Sequence, residues 1–192
     1  MSNRQTQILE AAVRVIAQHG VRGLRVETLA AEAGVSTALI YYHFQNRAGV
    51  LRRALDHIND RAALYTESAF TETDPRAQLE QMLLLEFQNA PPKIRENSIA
   101  WGGELRASAV FADELREPLR TTTQEWADDV ESLIRQAQDA GLADPKASPA
   151  DAAERLTALV EGLSERWLSG SIPIERAREL LTGAIGVEID PS

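Results

Sequence analysis

The chain has 192 residues, of which 44% are hydrophobic and 26% charged, and these proportions are typical of a folded globular protein. The absence of cysteine excludes disulfides and thiolate metal sites. The net charge of −9 is unevenly distributed, because residues 1–53 carry +4 and residues 54–192 carry −13. A basic segment beside an acidic remainder favours a surface that binds a polyanion, although short segments also vary in charge by chance.

Long apolar runs are absent from the sequence. No stretch approaches the roughly 18 uninterrupted apolar residues that a membrane span needs. The amphipathic residues 1–20 lack the apolar run and the cleavage site of a secretory signal. We therefore expect a soluble, cytoplasmic protein without a membrane partner.

The spacing of apolar residues predicts helices along the whole chain. They are predicted over about residues 4–19, 26–33, 36–43, 47–69, 75–90, 95–109, 113–141, 149–170 and 173–189. The first helix buries Ile8, Ala12, Val15 and Ile16 on one face and ends at Gly20. Ser148 caps the eighth helix in this scheme. The fold class predicted is all-α, with three short N-terminal helices joined to a bundle of about six helices.

Residues 26–44 have the pattern of a helix, a tight turn and a second helix. Gly34 supplies the left-handed conformation that such a turn needs, and Ser36 is placed to cap the following helix. Ile40 and Phe44 lie four residues apart and point inward onto the preceding helices. The segment therefore predicts a helix-turn-helix within a three-helix head.

The outer face of the second of these helices is unusual for a surface that meets only solvent. It carries Thr37, Ala38, Tyr41 and Tyr42, which are small residues and tyrosines with few charges. Such a face suits a helix that enters the major groove of DNA, where small residues permit close approach and hydroxyls meet base edges. Two alternatives stay open: the tyrosines are half-buried packing residues, and His43 caps or packs.

The string LRVETLAAEAGVSTALIYYHFQNRAGVL (residues 24–51), preceded by ILEAAVRVIAQHGVRG (residues 8–23), closely resembles the TetR family of bacterial transcriptional regulators. The resemblance covers residues 4 to about 55. It implies an all-helical homodimer in which a helix-turn-helix domain, residues 1–46, binds DNA. Residues 47–192 would bind a small-molecule inducer and dimerise through the last two helices.

Carried over by position, the resemblance implies a set of DNA-binding residues on the head. These are Arg25, Thr28, Ser36, Thr37, Ala38, Tyr41, Tyr42, His43 and Arg47. Arg25 stands where the family often has a capping threonine, so it is expected to reach the DNA backbone instead. Glu27 stands at a position that is often basic, and its carboxylate either accepts from a cytosine amino group or removes a phosphate contact. The operator sequence is therefore not predicted.

The C-terminal part resembles more loosely the branch of the family that contains choline-responsive regulators of betaine synthesis, over the string IAWGGELRASAVFADELREPLRTTTQEWADDVESLIRQAQDAG. This likeness does not identify an inducer. Large apolar side chains with a few polar ones are typical of ligand cavities. The candidates for such a pocket are Tyr65, Met82, Phe87, Trp101, Glu104, Phe111 and Trp126. Most of them fit an ordinary core equally well, and Glu104, beside Gly102 and Gly103, is the polar residue to test first.

The last two predicted helices each carry an apolar stripe. The candidate dimer residues on these stripes are Leu156, Val160, Leu163, Trp167, Ile174, Ala177, Leu181 and Ile185. Two adjacent amphipathic helices can pair with their symmetry mates to form a four-helix interface. Packing inside one subunit is the alternative, and both hold if different faces of the helices are used.

A catalytic constellation is absent from the sequence. His19, His43 and His57 are scattered, without an HExxH pair or a glycine-rich phosphate loop. We therefore predict no enzymatic activity, no catalytic or metal-binding residue and no cofactor. The function predicted is a ligand-responsive transcriptional repressor that binds a palindromic DNA operator as a homodimer and is released by a small-molecule inducer. The alternative is a helical protein-interaction module without DNA binding.

Overall fold

A computed structural model describes residues 3–69, 74–88 and 98–191, and for residues 61–69, 101 and 102 it describes the backbone alone. Within these residues the chain forms nine α-helices and one π-helix, with no strand. The α-helices are α1 (Asn3–Gly23), α2 (Val26–Ala33), α3 (Thr37–Phe44), α4 (Arg47–Ala69), α5 (Pro75–Leu84), α6 (Arg106–Ala109), α7 (Asp113–Asp139), α8 (Pro149–Leu168) and α9 (Ile174–Ile189). The π-helix spans Ile99–Leu105. The all-α prediction is confirmed.

The chain divides into two compact units, which are described separately below. The head unit consists of Met1–Ala63 and Ala90–Arg120, and the body unit consists of Leu64–Asn89 and Thr121–Ser192. The predicted domain boundary between residues 46 and 47 is a division by function, and it stays a prediction. No helix in the described part of the chain combines the length and the apolar character that crossing a bilayer requires.

The head unit is held together by an apolar core that its first four helices share. The stripe predicted on α1 is buried, since Ile8, Ala12, Val15 and Ile16 are each at most 2% exposed. The other helices contribute Leu29, Ala30 and Ala33 from α2, Ile40 and Phe44 from α3, and Val50, Leu51, Ala54 and Leu55 from α4. Each large side chain buried in this way stabilises the fold by roughly 1.5–3 kcal/mol.

Helix α1 is interrupted where the sequence predicts its end. Gly20 has φ of 72° and ψ of 170°, and one further helical turn continues to Gly23. A glycine reaches positive φ at little steric cost, whereas a residue with a Cβ resists it. The interruption redirects the chain at the approach to α2.

Two predicted helices differ in extent from the observed ones. Helix α5 ends at Leu84 rather than near residue 90, because the Leu85 N–H is shared between the carbonyls of Gln81 and Met82 and the helix then gives way to a turn. Residues 95–97 of the predicted sixth helix lie outside the described residues. Most of its remainder is the π-helix, a geometry that the spacing of apolar residues does not distinguish from an α-helix.

The body unit has a separate core formed by α5, α7, α8 and α9. It is built mainly from Leu79, Leu83, Phe87, Val130, Leu133, Ile134, Leu156, Val160, Leu163, Trp167, Leu181, Ile185 and Ile189. At the surface, Arg155 on α8 pairs with Glu188 on α9 at 2.6 Å, and Arg76 on α5 pairs with Asp190 at 2.7 Å. Ser148 caps α8 as predicted. Since exposed ion pairs contribute little, the apolar burial dominates the stability of this unit.

Candidate nucleic-acid interface

The turn between α2 and α3 is built by local backbone chemistry. Gly34 has φ of 64° and ψ of 38°, the left-handed conformation that closes α2, and its N–H bonds back to Ala30 and Ala31. The Val35 N–H also donates to the carbonyl of Ala30, at 3.0 Å. Ser36 then opens α3 by accepting a hydrogen bond from the Leu39 N–H at 3.3 Å. The predicted helix-turn-helix is therefore present, with the roles predicted for Gly34 and Ser36 confirmed.

Helix α3 has one sealed face and one open face. Ile40 and Phe44 are 1% and 5% exposed in the head core. Thr37 and Ala38 are exposed on the opposite side, together with Tyr41 at 49% and Tyr42 at 81%. At this exposure Tyr42 is not a packing residue. The open face combines large polar rings with small neighbours, which suits a helix that enters the major groove.

His43 sits between two aromatic neighbours. Its ring lies 5.0 Å from that of Tyr42 at an interplanar angle of 73°, and 6.1 Å from that of Phe44 at 64°. The side chain is half-buried. Both contacts are edge-on, a favourable geometry for aromatic pairs. The imidazole therefore packs locally, and a phosphate contact from it remains a prediction.

Arg47, at the start of α4, is engaged within the head. Its Nε donates to the Leu24 carbonyl at 2.9 Å and its Nη2 donates to the Val21 carbonyl at 2.5 Å. The guanidinium thereby ties α4 to the connection between α1 and α2. A role in positioning the head was not predicted from sequence, because these carbonyls lie 23 and 26 residues away.

The remaining predicted DNA-binding residues lie around α2. Arg25 is exposed at the N-cap position of α2, and its side chain makes no capping hydrogen bond. Thr28 is half-buried in the first turn, next to the exposed Glu27. The side chain of Arg25 is therefore available to solvent, as a phosphate contact requires.

Two side chains of α1 make polar contacts with α2, the first helix of the helix-turn-helix. The Gln7 Nε2 donates to the Ala33 carbonyl at 2.9 Å, at the C-terminal end of α2. The Arg14 Nε donates to Glu32 Oε1 at 2.7 Å. Neither pair was found from the sequence, since the partners are 26 and 18 positions apart. They join α2 to α1 at the edge of the apolar core that the two helices share.

The connection between α3 and α4 is tight and strained. Gln45 has φ of 65° and ψ of −48°, and among the described residues it is the single non-glycine residue with positive φ. The Asn46 N–H donates to the Phe44 carbonyl at 2.7 Å, which closes a three-residue turn. Asn46 Oδ1 then accepts from the Gly49 N–H at 2.8 Å and caps α4.

The predicted ligand-pocket residues fall into both units. In the body unit, Phe87 is fully buried with its ring 6.1 Å from that of Trp167, and Met82 and Trp126 pack partly buried against the same core. In the head unit, Phe111 is 81% exposed and Glu104 is half-buried. The side chains of Tyr65 and Trp101 lie outside the described part of the chain. Phe87 is thus a core residue of the body unit.

The side chains predicted for the dimer interface pack inside the body unit. Seven of them are 9% exposed or less: Leu156, Val160, Leu163, Trp167, Ala177, Leu181 and Ile185. Ile174 packs partly buried against the same core. The outer faces of α8 and α9 carry other residues, among them Gly162, Gly183 and Val187. Val187 is 88% exposed, the largest exposure among the large hydrophobic side chains described.

These features define a helix-turn-helix protein whose recognition helix has a sealed inner face and an open outer face, followed by further helices. Residues 8–54 match the model of the bacterial regulatory proteins of the tetR family, and residues 75–189 match the C-terminal domain of the BetI-type transcriptional repressors. The chain belongs to the TetR family, with a C-terminal domain of the BetI type. It is a DNA-binding transcriptional regulator.

The chain is similar to several named regulators. The HTH-type transcriptional regulator TtgR of Pseudomonas putida is 28% identical over 170 residues, which are 85% of this chain and 80% of that protein. A TetR-family regulator from Rhodococcus sp. is 47% identical with a TM-score of 0.90, over 98% of this chain and 99% of that one. A regulator from Saccharomonospora viridis, solved in complex with choline, is 25% identical with a TM-score of 0.87 over 100% of both chains.

Proposed function

We propose that this regulator is a dimeric repressor that binds a palindromic operator and is released by a small-molecule effector. The observation that carries the proposal is the outer face of α3, where Tyr41 and Tyr42 are 49% and 81% exposed on a helix whose other face is sealed in the head core. A rigid helix with exposed rings and small neighbours fits the major groove, where its side chains contact base edges in place of water.

In this proposal Thr37, Ala38 and Tyr41 meet base edges, while Tyr42 and His43 lie towards the phosphates. The flanking contacts to the DNA backbone come from Arg25, Thr28, Ser36 and Arg47. Arg47 has two of its nitrogens bonded to head carbonyls, so its Nη1 is the group that would reach a phosphate. The charge of +4 on residues 1–53 supports this orientation, because the basic part of an otherwise acidic chain then faces the DNA phosphates.

The proposed dimer uses the outer faces of α8 and α9 rather than their buried stripes. Val187 is 88% exposed there, and a Cβ added at Gly162 or Gly183 would meet nothing within 4 Å. Helix faces with small residues allow a symmetry-related helix to approach closely, and the same patch then serves both subunits. Such a dimer would set two copies of α3 about 34–36 Å apart, the spacing of successive major grooves.

Choline is the effector to test first. The BetI-type match covers residues 75–189, and the similar Saccharomonospora viridis regulator was solved with choline. Quaternary ammonium ions are held by aromatic side chains, of which Trp126 on α7 is only partly buried. The charge of −13 on residues 54–192 favours a cation over an anion.

Selection of bound fragments from random DNA tests the DNA-binding part of the proposal. The expected product is an inverted repeat, bound with an affinity that falls steeply as salt rises because phosphate contacts release counterions. Each phosphate contacted contributes about −0.9 to the slope of log K against log salt. A helical protein-interaction module would yield no enriched sequence and no such slope, and that result would reject the proposal.

Calorimetric titration with choline tests the effector. The matched control is 3,3-dimethylbutan-1-ol, which has the same shape without the charge. Choline should bind and weaken operator binding, while the neutral alcohol should do neither, because cation–π attraction requires the charge. Binding of neither compound would exclude choline as the effector, and equal binding of both would show that the charge is not recognised; either result leaves the DNA-binding proposal standing.

A further inference from the structure

A carboxylate from the π-helix meets the interruption of α1. Glu104 Oε2 accepts a hydrogen bond from the Val21 N–H at 3.1 Å, across 83 residues of sequence. Because Gly20 leaves helical geometry, the Val21 N–H begins a new turn and needs an acceptor from elsewhere. Val21 is 4% exposed, so water is a poor substitute for that acceptor.

Gly20 provides the space that the carboxylate occupies. A Cβ on Gly20 would lie 2.7 Å from Glu104 Oε2 and 3.2 Å from its Cδ. The glycine therefore serves two purposes, since its φ of 72° also turns the chain. The missing side chain of Gly20 leaves room for the carboxylate, and the N–H of the next residue, Val21, donates to it.

The same short connection is held from its other side by α4. Arg47 donates to the carbonyls of Val21 and Leu24, so the N–H and the C=O of Val21 are bound by two different charged side chains. The connection between α1 and α2 is thus fixed by one carboxylate and one guanidinium. It leads directly into the helix-turn-helix.

The element that carries Glu104 has an unusual geometry. Ile99–Leu105 is a π-helix, a rare form that is frequently found at functional sites. If the extra residue of such a helix moves past position 104, the side chain rotates by about 100° relative to the residues before it. That rotation would take the carboxylate away from Val21.

We infer that Glu104 is a positioning residue which fixes the connection between α1 and α2, and that it couples the geometry of the π-helix to operator affinity. With the hydrogen bond in place, α2 and α3 are held in the arrangement that binds DNA. When the π-helix changes register, the Val21 N–H loses its acceptor and the helix-turn-helix loosens. This inference rests on the proposed repressor function and names the contact through which the head would be regulated.

Amide exchange of Val21, followed by NMR in the full chain, tests the contact without DNA. Glu104→Ala should speed exchange about tenfold or more, since a charged hydrogen bond shifts an equilibrium by at least that factor. Glu104→Gln keeps a carbonyl acceptor and should restore most of the protection. Glu114→Gln, which removes an exposed carboxylate of the head unit, is the control for charge and should leave exchange unchanged. Equal exchange in wild type and Glu104→Ala would overturn the inference.

Operator affinity tests the consequence of the contact. Glu104→Ala should weaken binding about three- to tenfold, while Glu104→Gln stays near wild type. Deletion of Gly103, which removes one residue from the π-helix, should weaken binding in the wild-type background and add little in the Glu104→Ala background. Additive effects, or faster exchange with unchanged affinity, would overturn the coupling. If the wild-type chain bound no DNA, the proposed function would fail while the exchange result still stood.

Discussion

A Cβ atom added to Gly49, in the first turn of α4, would lie 2.1 Å from the carbonyl oxygen of Phe44, the last residue of α3. A backbone oxygen cannot avoid this overlap by changing rotamer. The close approach of the two helices therefore depends on the absence of a side chain at residue 49. The end of the recognition helix is therefore positioned by the start of α4.

We predict that Gly49→Ala destabilises the head and weakens operator binding. Helix propensity alone would favour alanine by roughly 1 kcal/mol. The overlap with a backbone atom costs about 1–3 kcal/mol and displaces α3 if it is relieved. Thermal unfolding and operator titration measure both effects. Gly103→Ala is the comparison for thermal unfolding, since its Cβ would meet nothing within 4 Å, and it should be no less stable than wild type. A Gly49→Ala variant more stable than wild type would contradict the geometry.

In the turn that follows α3, a substitution is predicted to stabilise the head, in contrast to Gly49→Ala. Gln45 holds φ of 65° and ψ of −48°, a sparsely populated conformation that costs a residue with a Cβ about 1–3 kcal/mol. Gln45→Gly should therefore raise the free energy of unfolding. The net gain is about 1 kcal/mol or less, because glycine also increases the conformational entropy of the unfolded chain. The neighbouring Asn46→Ala should lower it by about 0.5–2 kcal/mol, because it removes the cap on Gly49. Denaturant unfolding of the two variants should give shifts of opposite direction.

The exposed tyrosines yield a prediction that separates binding from folding. Tyr41→Ala and Tyr42→Ala should each leave the unfolding temperature near that of wild type, because the rings are 49% and 81% exposed. Each should weaken operator binding, and Tyr41→Ala by about ten- to a hundredfold if its ring meets a base edge, since such a contact is worth about 1–3 kcal/mol. Fluorescence anisotropy with a selected operator measures the loss. Undiminished affinity in both variants would show that α3 does not enter the groove.

The sequence predicted the local structure of the head well and its long-range polar contacts not at all. Gly34, Ser36 and the spacing of Ile40 and Phe44 act within a few residues of each other, so their roles follow from backbone geometry and helical periodicity. The hydrogen bond that the Val21 N–H donates to Glu104 depends on two segments meeting in the fold, and no local pattern encodes it.

The body unit shows a second reason why the sequence does not predict every contact. An apolar stripe indicates which face of a helix is buried without indicating what buries it. Leu156 and Leu181 lie on such stripes and are at most 1% exposed within the single chain, so the candidate dimer residues proved to face the body core. To decide whether a stripe faces a second subunit or the core of its own subunit, one must know which apolar residues stay exposed after folding. Only the packed structure gives that information.

Val187 is the residue on which the proposed dimer surface is most directly tested. It is 88% exposed, so Val187→Arg places a charge on the outer face of α9 without disturbing the core of the body unit. In a symmetric interface the two introduced charges meet across the twofold axis or are buried against the partner, and either is strongly unfavourable. We expect the dimer to dissociate in analytical ultracentrifugation and operator affinity to fall, because one head alone spans a single half-site. Leu142→Arg is the control, since Leu142 is a 40% exposed hydrophobic residue of the same unit that lies outside α8 and α9. A Val187→Arg variant that remains dimeric would place the interface elsewhere.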